Sequence, residues 1–391
     1  MLFMHGMMRG TMRRVARSSL KHTNTGTRAY HGTHQLEFTS RVEAVRPAAR
    51  PIATVRLVDE EGAAVGPLEE GPLTQEGPLV AVYEQMLQLA ALDAVMLDAQ
   101  RQGRISFYIT SSGEEAVAFG SAQALPGTDP VFAQYREAGV LLARGCALQQ
   151  LMDQLLGNAR DPGHGRQMPV HYGSRAHHFL TISSPLATQM PQAVDAAHRH
   201  RLRADGALPV CFFGEGAASE GDCHAAFNFA TTLRTPLLFL CRNNAFAIST
   251  PQHEQFAGDG VAARAAGYGM PAFRVDGNDL WAVWHVVRAA RALARAEATP
   301  VLIEAMTYRA GHHSTSDDAA AYRAQPPAPA LDAACPLARV RRFMDRRGWW
   351  SEARDRAARH AGTAVVQQQV FKVVQRAFQD REVDVFTIQI L

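Results

Sequence analysis

The sequence predicts an α/β protein built on a doubly wound, mostly parallel sheet, and three observations carry that prediction. Val210 to Phe213 and Leu237 to Cys241 are continuous apolar runs of strand length. Ala225 to Leu233 between them is helical in composition, after a capping-box pattern at Ser219 and Asp222. Downstream, Ala272 to Val275 and Pro300 to Met306 read as two more strands, separated by a helix from Leu280 to Ala296. Strands alternating with helices call for right-handed parallel crossovers, which open the carboxyl ends of the strands onto one crevice. Glu215 and Asn244 stand at two such ends.

Around this centre the chain divides by composition. Residues 1–30 carry Arg9, Arg13, Arg14, Arg17, Lys21 and Arg28 among serines and threonines, and no acidic residue precedes Glu37. That is the makeup of a mitochondrial transit peptide, cut near residues 28–30; the plainer alternative is a basic tail. Residues 31–76 read as an extended arm, rich in Pro, Gly and Glu from residue 37 onward, with a short apolar alternation in TVRLV. The α/β domain then spans 77–325. It opens with a helix from Leu79 to Arg101 that carries Val82, Met86, Leu89 and Met96 on one stripe. Further helices are expected at Glu114 to Leu125, Glu137 to Arg144 and Ala147 to Leu156, followed by a loop from Gly157 to Gly173. Pro326, Pro327 and Pro329 break the chain before a C-terminal helical segment, 326–391, with helices at Leu337 to Arg347 and Glu352 to Asp380.

Composition excludes several chemistries. The net charge of +3 is too small to imply nucleic acid, and part of the excess lies in the leader. Lysine occurs only at Lys21 and Lys372, so no P-loop lysine and no internal Schiff-base lysine exists. Five cysteines without CxxC spacing fit a reducing interior, with Cys211 and Cys241 read as small buried hydrophobes. No apolar run is read as long enough to cross a bilayer.

The residue types at the crevice suit a metal and a phosphate. Magnesium in phosphate sites takes about one carboxylate, neutral oxygens, water and the phosphates themselves, which describes Glu215 and Asn244. Gly214 and Gly216 allow close backbone approach, and the opening N–H groups of the next helix favour anionic oxygens. Alone, GEG is a weak signal whose usual meaning is a tight turn with no ligand. The second element adds weight, because 26 residues, Ala217 to Arg242, separate Gly216 from Asn243 and Asn244.

That spacing resembles the thiamine diphosphate motif, a Gly-Asp-Gly followed after a similar spacer by Asn-Asn. From Arg104 to Tyr322 the chain resembles the alpha subunits of branched-chain 2-oxoacid dehydrogenases, the decarboxylating component of a mitochondrial complex. The segments are RISFYITSSGEEA, FAQYREAGVLLARG, GRQMPVHYGS, TISSPLATQMPQAV, FFGEGAASEGD, CRNNAFAISTP and YRAGHHSTSDDAAAYR, in that order.

The resemblance implies a fold of the thiamine-diphosphate-binding type and a mitochondrial matrix location. It places Tyr135, Arg136, Arg242 and His313 on the diphosphate, with Ser184, Gly216 and Ala217 completing the cofactor contacts. Magnesium falls to Glu215, Asn244 and the backbone carbonyl of Phe246, where the family usually has tyrosine. Potassium falls to Ser183, Pro185, Thr188 and Gln189, although from chemistry alone TISSPLATQ is a capped turn before a helix. His313 is the implied catalytic residue, a proton donor in acyl transfer to lipoamide, and His312 is read as structural. Ser314 corresponds to the serine that a dedicated kinase modifies, opposed by a phosphatase, whereas a second family serine is Ala324 here. The glutamate that activates the cofactor comes from a beta subunit in this family. The resemblance therefore implies two alpha and two beta chains, serving a lipoyl-bearing acyltransferase core. The family continues past FTIQIL with a tail that aids assembly.

Three rivals stand beside this reading. The pyruvate-specific alpha subunit shares fold, cofactor and assembly. An NAD-binding dehydrogenase would use GEGAASEG as its fingerprint, but Ser219 stands where the third glycine belongs. A non-catalytic regulatory subunit is opposed by retention of the cofactor-contacting positions.

Overall fold

The computed structural model describes residues 27–29, 35–37, 41–44 and 51–379. Apart from the strand Thr27–Ala29, the expected leader lies outside the described residues, as does the chain end beyond Gln379. The chain forms two units, Met1–Pro51 and Ile52–Leu391. In the first, Thr27–Ala29 pairs antiparallel with Gln35–Glu37.

The second unit is built on a six-stranded sheet in which every neighbouring pair is parallel. Its spatial order is Thr54–Val55, Ala272–Asp276, Pro300–Met306, Leu237–Asn243, Val210–Gly214 and Val131–Phe132. The connection from Val210–Gly214 to Leu237–Asn243 and that from Ala272–Asp276 to Pro300–Met306 step in opposite directions across the sheet. Right-handed crossovers then put their helices on opposite faces, which makes the sheet doubly wound.

The continuous apolar runs are explained by burial on both faces. Phe212, Leu238, Leu240, Val301 and Ile303 pack with Trp281, Val283 and Val287 of the helix Leu280–Glu297. The alternate residues Cys211, Phe213, Phe239 and Cys241 pack with Met190, Ala193, Phe227 and Ala230 of the helices Gln189–Arg203 and Gly221–Thr232. Each of the large side chains contributes about 1.5–3 kcal/mol by leaving water.

Several expectations are corrected here. The capping box at Ser219 and Asp222 does not form: Ser219 ends a 3₁₀ turn, Ala217–Ser219, and the helix is entered from Glu220 without a side-chain cap bond. The second half of the arm belongs to the sheet, since Thr54–Val55 pairs with Arg274–Val275 and Val58 is fully buried. The carboxylate of Asp279 binds this segment: its Oδ2 accepts from the N–H of Leu57 at 2.7 Å and of Val58 at 2.8 Å, while Oδ1 caps Trp281 and Ala282 at 3.0 Å. Among the described residues one helix, Glu76–Arg101, is long and apolar enough to span a bilayer, contrary to the sequence reading. Here it lies against the core, with Val82, Met86, Leu89 and Met96 buried and Asp93 accepting from Tyr108 and Ser111.

Candidate active site

Parallel register brings the carboxyl ends of two strands together. Gly214 pairs with Arg242, so Glu215 and Asn244 leave the sheet side by side, and the Asn244 N–H faces Glu215 Oε2 at 3.4 Å. Both side chains are buried. They border a cavity of about 540 Å³ whose walls include Tyr135, Arg136, Ser184, Gly216, Ala217, Arg242, Phe246, His313 and Ser314.

The turn after the strand holds the asparagines in different roles. Asn243 is fully buried and structural: its amide donates to Gln252 and Glu304, and its Oδ1 accepts from the Ala245 N–H. Asn244 turns towards the cavity, its Oδ1 accepting from the Phe246 N–H at 3.3 Å and its Nδ2 donating to Glu114 at 2.8 Å. Ala245 and Ile248 have φ of +68° and +55°, left-handed conformations unusual for residues with a Cβ. Gly216 is required by close approach, since a Cβ there would lie 2.8 Å from that of Ala247, whereas a Cβ at Gly214 would meet only ordinary contacts.

The charges form one buried network. Arg242 donates to Glu114 at 2.5 Å and pairs with Glu137 at 2.6 Å, while Arg136 Nε lies 3.9 Å from Glu114. Burial opposes ionisation of Glu114, but Arg242 and Arg136 outweigh it and hold its carboxyl below the usual range. Burial likewise works against the charge of Arg242, and Glu137 and Glu114 raise its pKa regardless. For Glu215 the balance is reversed: burial outweighs the Asn244 N–H and the pull of Arg242 and pushes it up to about 7. Its Oε1 is buried with no hydrogen-bond partner. A buried carboxylate oxygen without a donor, beside an amide oxygen and a backbone turn, is a donor set that a hard divalent cation completes. Among the described residues no group of three or more His, Cys, Asp and Glu forms a metal cluster, so phosphate oxygens and water would supply the remaining ligands.

His313 is placed by its neighbours. Its N–H donates to Asp317 at 2.6 Å, its carbonyl accepts from Arg136 Nη2 at 2.7 Å, and its ring meets that of Tyr135 edge-on at 6.0 Å. Burial, with Arg136 and Arg309 nearby, lowers its pKa to about 4. Arg309 Nη1 lies 3.1 Å from His313 Nδ1. A guanidinium only donates, which assigns Nδ1 as acceptor and Nε2 as the protonated nitrogen. The expected proton donor is therefore neutral near pH 7 and offers a hydrogen bond from Nε2. His312 accepts from the Ala319 N–H at 2.9 Å, as a structural residue would.

Ser183, Pro185, Thr188 and Gln189 are absent from the walls of this cavity, which Ser184 borders between them. The hydroxyl of Thr188 donates to the Pro185 carbonyl at 3.0 Å, and the Gln189 amide donates to the Phe212 carbonyl at 3.0 Å. Ser184 meets His171 Nε2 at 2.8 Å. Sequence reasoning missed Glu114, Glu137, Gln134 and His171. Gln134 accepts from the Gly214 N–H at 2.8 Å and so fixes the turn before Glu215. The acidic pair in GEEA was the one available signal for Glu114.

Residues 83–382 match the family model described as dehydrogenase E1 component. The chain is similar to the mitochondrial 2-oxoisovalerate dehydrogenase subunit alpha of Mus musculus, 49% identical over 348 residues, covering 88% of this chain and 77% of the relative. The Homo sapiens protein of the same name is 50% identical over 325 residues, covering 83% and 73%. That of Dictyostelium discoideum is 49% identical over 322 residues, covering 82% and 73%.

Proposed function

The chain belongs to the dehydrogenase E1 component family, among the 2-oxoisovalerate dehydrogenase alpha subunits, and on that premise we propose its reaction and its partners. It is the alpha subunit of a thiamine diphosphate- and magnesium-dependent enzyme of the mitochondrial matrix. The enzyme decarboxylates branched-chain 2-oxo acids and passes the acyl group to lipoamide on the acyltransferase component. The observation that carries this reading is the meeting of Glu215 and Asn244 at adjacent strand ends, with an unpartnered carboxylate oxygen beside a large cavity.

Thiamine diphosphate, when bound, supplies the carbanion chemistry of the decarboxylation. In this reading Glu215, Asn244 Oδ1 and the Phe246 carbonyl hold magnesium. Arg136 and Arg242 offer permanent charge and planar donors to a diphosphate, and Tyr135, Ser184, Gly216 and Ala217 complete its bed. His313, neutral near pH 7 with its proton on Nε2, is read as the catalytic residue at the mouth, and it gives up a proton in acyl transfer to lipoamide only after first taking one up. Thr188, Pro185, Ser183 and Gln189 hold potassium behind Ser184; the adjacent hydroxyl and carbonyl oxygens of Thr188 and Pro185 support that role. Ser314, on the cavity wall, is the site where a kinase acts and a phosphatase reverses it.

The beta subunit supplies the carboxylate that activates the cofactor, in an assembly of two alpha and two beta chains. Family membership displaces the dinucleotide-binding rival. Co-purification with the beta subunit, followed by turnover with thiamine diphosphate and magnesium, tests the reading. Faster decarboxylation of 3-methyl-2-oxobutanoate than of pyruvate is expected; the reverse order would favour the pyruvate-specific relative.

A further inference from the structure

We propose that Glu114 is a positioning residue for the metal site, fixing the Asn244 amide so that its oxygen, and not its nitrogen, faces the cation. The inference rests on the reading of the cavity as a site for magnesium and thiamine diphosphate.

An amide side chain has nearly the same shape in either orientation, so its partners decide which end points where. Glu114 sits just before the helix Glu115–Ala124, 2% exposed, and reaches two residues near the end of a strand far along the chain. Its Oε2 accepts from Arg242 at 2.5 Å and its Oε1 from Asn244 Nδ2 at 2.8 Å. A carboxylate paired with an arginine accepts only, so the Asn244 NH₂ group must face it. Oδ1 then points to the Phe246 N–H at 3.3 Å, within the turn that also carries the Phe246 carbonyl, and keeps a second lone pair. The reversed amide would set oxygen against carboxylate and present N–H groups to a cation. Both contacts are repulsive.

A purely structural role, neutralising Arg242 and Arg136, makes a different prediction. It affects anion binding and folding, without acting through Asn244. The test uses wild-type, Glu114→Gln, Asn244→Ala and double-variant alpha subunits, each purified with the beta subunit. Two titrations are read by calorimetry: Mn²⁺ with saturating thiamine diphosphate, and inorganic pyrophosphate without metal. Outer-shell partners of metal ligands are worth about 10–100-fold in metal affinity, so Glu114→Gln is expected to weaken Mn²⁺ binding by at least about ten-fold. Pyrophosphate binding should stay level or tighten, because the arginines lose a competing carboxylate under either role, so a loss of Mn²⁺ affinity cannot be ascribed to a damaged anion site. In the Asn244→Ala background Glu114→Gln should change Mn²⁺ affinity no further.

Should Glu114→Gln fail to fold, Glu114→Asp keeps the charge but shortens the reach, and a smaller loss of Mn²⁺ affinity is expected. Unchanged Mn²⁺ affinity in whichever variant folds, or additive losses in the double variant, would overturn the inference alone. Failure of the wild-type assembly to bind Mn²⁺ with thiamine diphosphate would overturn the cofactor reading and this inference together.

Discussion

Arg136 donates from Nη2 to the carbonyl oxygen of His313 at 2.7 Å, tying the loop after the edge strand Val131–Phe132 to one 177 residues further on. A second bond from the same guanidinium, to the Thr110 carbonyl, anchors a third segment. One side chain therefore offers charge to the cavity and holds the loop that carries His313 and Ser314.

Arg136→Ala should free that loop. A hydrogen bond to a charged group is worth about 1.5–3 kcal/mol, so amides of residues 309–323 are expected to exchange about ten to a hundred times faster. Hydrogen exchange followed by mass spectrometry reads this directly. Wild-type protection would show that the loop is held by other means, such as the Asp317 and Tyr322 contacts.

Negative charge at Ser314 should oppose binding of an anionic cofactor. Like charges on the order of 8 Å apart at an effective dielectric of about 20 cost about 2 kcal/mol, so Ser314→Glu should weaken thiamine diphosphate binding by about thirty-fold. Ser314→Ala is expected to bind as wild type. Equal affinity in the two variants would separate Ser314 from control of the site.

Metal binding should depend on pH through Glu215. Burial raises its carboxyl to about 7 in the metal-free protein, and the cation needs the ionised form. Affinity is then flat above pH 7 and falls about ten-fold per unit below it. The linkage sign is consistent: a carboxyl raised in the folded state contributes stability below its unfolded pKa, and this is lost as pH rises through about 7. Magnesium with thiamine diphosphate should therefore raise the melting temperature more at pH 8 than at pH 6. An equal rise at both would place the ion elsewhere.

The sheet was legible because its central strands are buried on both faces, so Phe212, Phe213, Leu238 and Phe239 make runs that no loop would carry. The edge strand Val131–Phe132 has two residues, too few to show a period, and the alternation in TVRLV that holds Thr54–Val55 read as part of an arm because its Pro- and Gly-rich surroundings resemble no domain. The helix Gly221–Thr232 was legible from composition, but its entry was not, because the 3₁₀ turn before it displaces Ser219 from the cap position. At the site, the spacing of Glu215 and Asn244 pointed to a shared crevice. The resemblance gave Tyr135, Arg136 and His313. Glu114 stayed hidden because a buried glutamate and a surface one read alike in sequence. So did the left-handed turn, since Ala245 and Ile248 are neither glycine nor asparagine.

Asp279 should be a stability hot spot far from the chemistry. It accepts four backbone N–H bonds, two from the arm segment and two at the helix start. Loss of a helix cap costs about 0.5–2 kcal/mol, and buried donors left unpaired add about 1–3 kcal/mol. Asp279→Ala is expected to lower unfolding stability by about 2–4 kcal/mol in denaturant titration, with Asp279→Asn recovering part of it. A loss within about 0.5 kcal/mol would mean that the arm segment is held without this carboxylate.

Magnesium binding depends most on the carboxylate of Glu215. Calorimetric titration of Mg²⁺ into the alpha–beta assembly with thiamine diphosphate, comparing wild type with Glu215→Gln, tests it most directly. Saturable binding by the wild type and at least about a hundred-fold weaker binding by the variant are predicted. Equal magnesium affinity in the two proteins would contradict the placement of the ion at these strand ends.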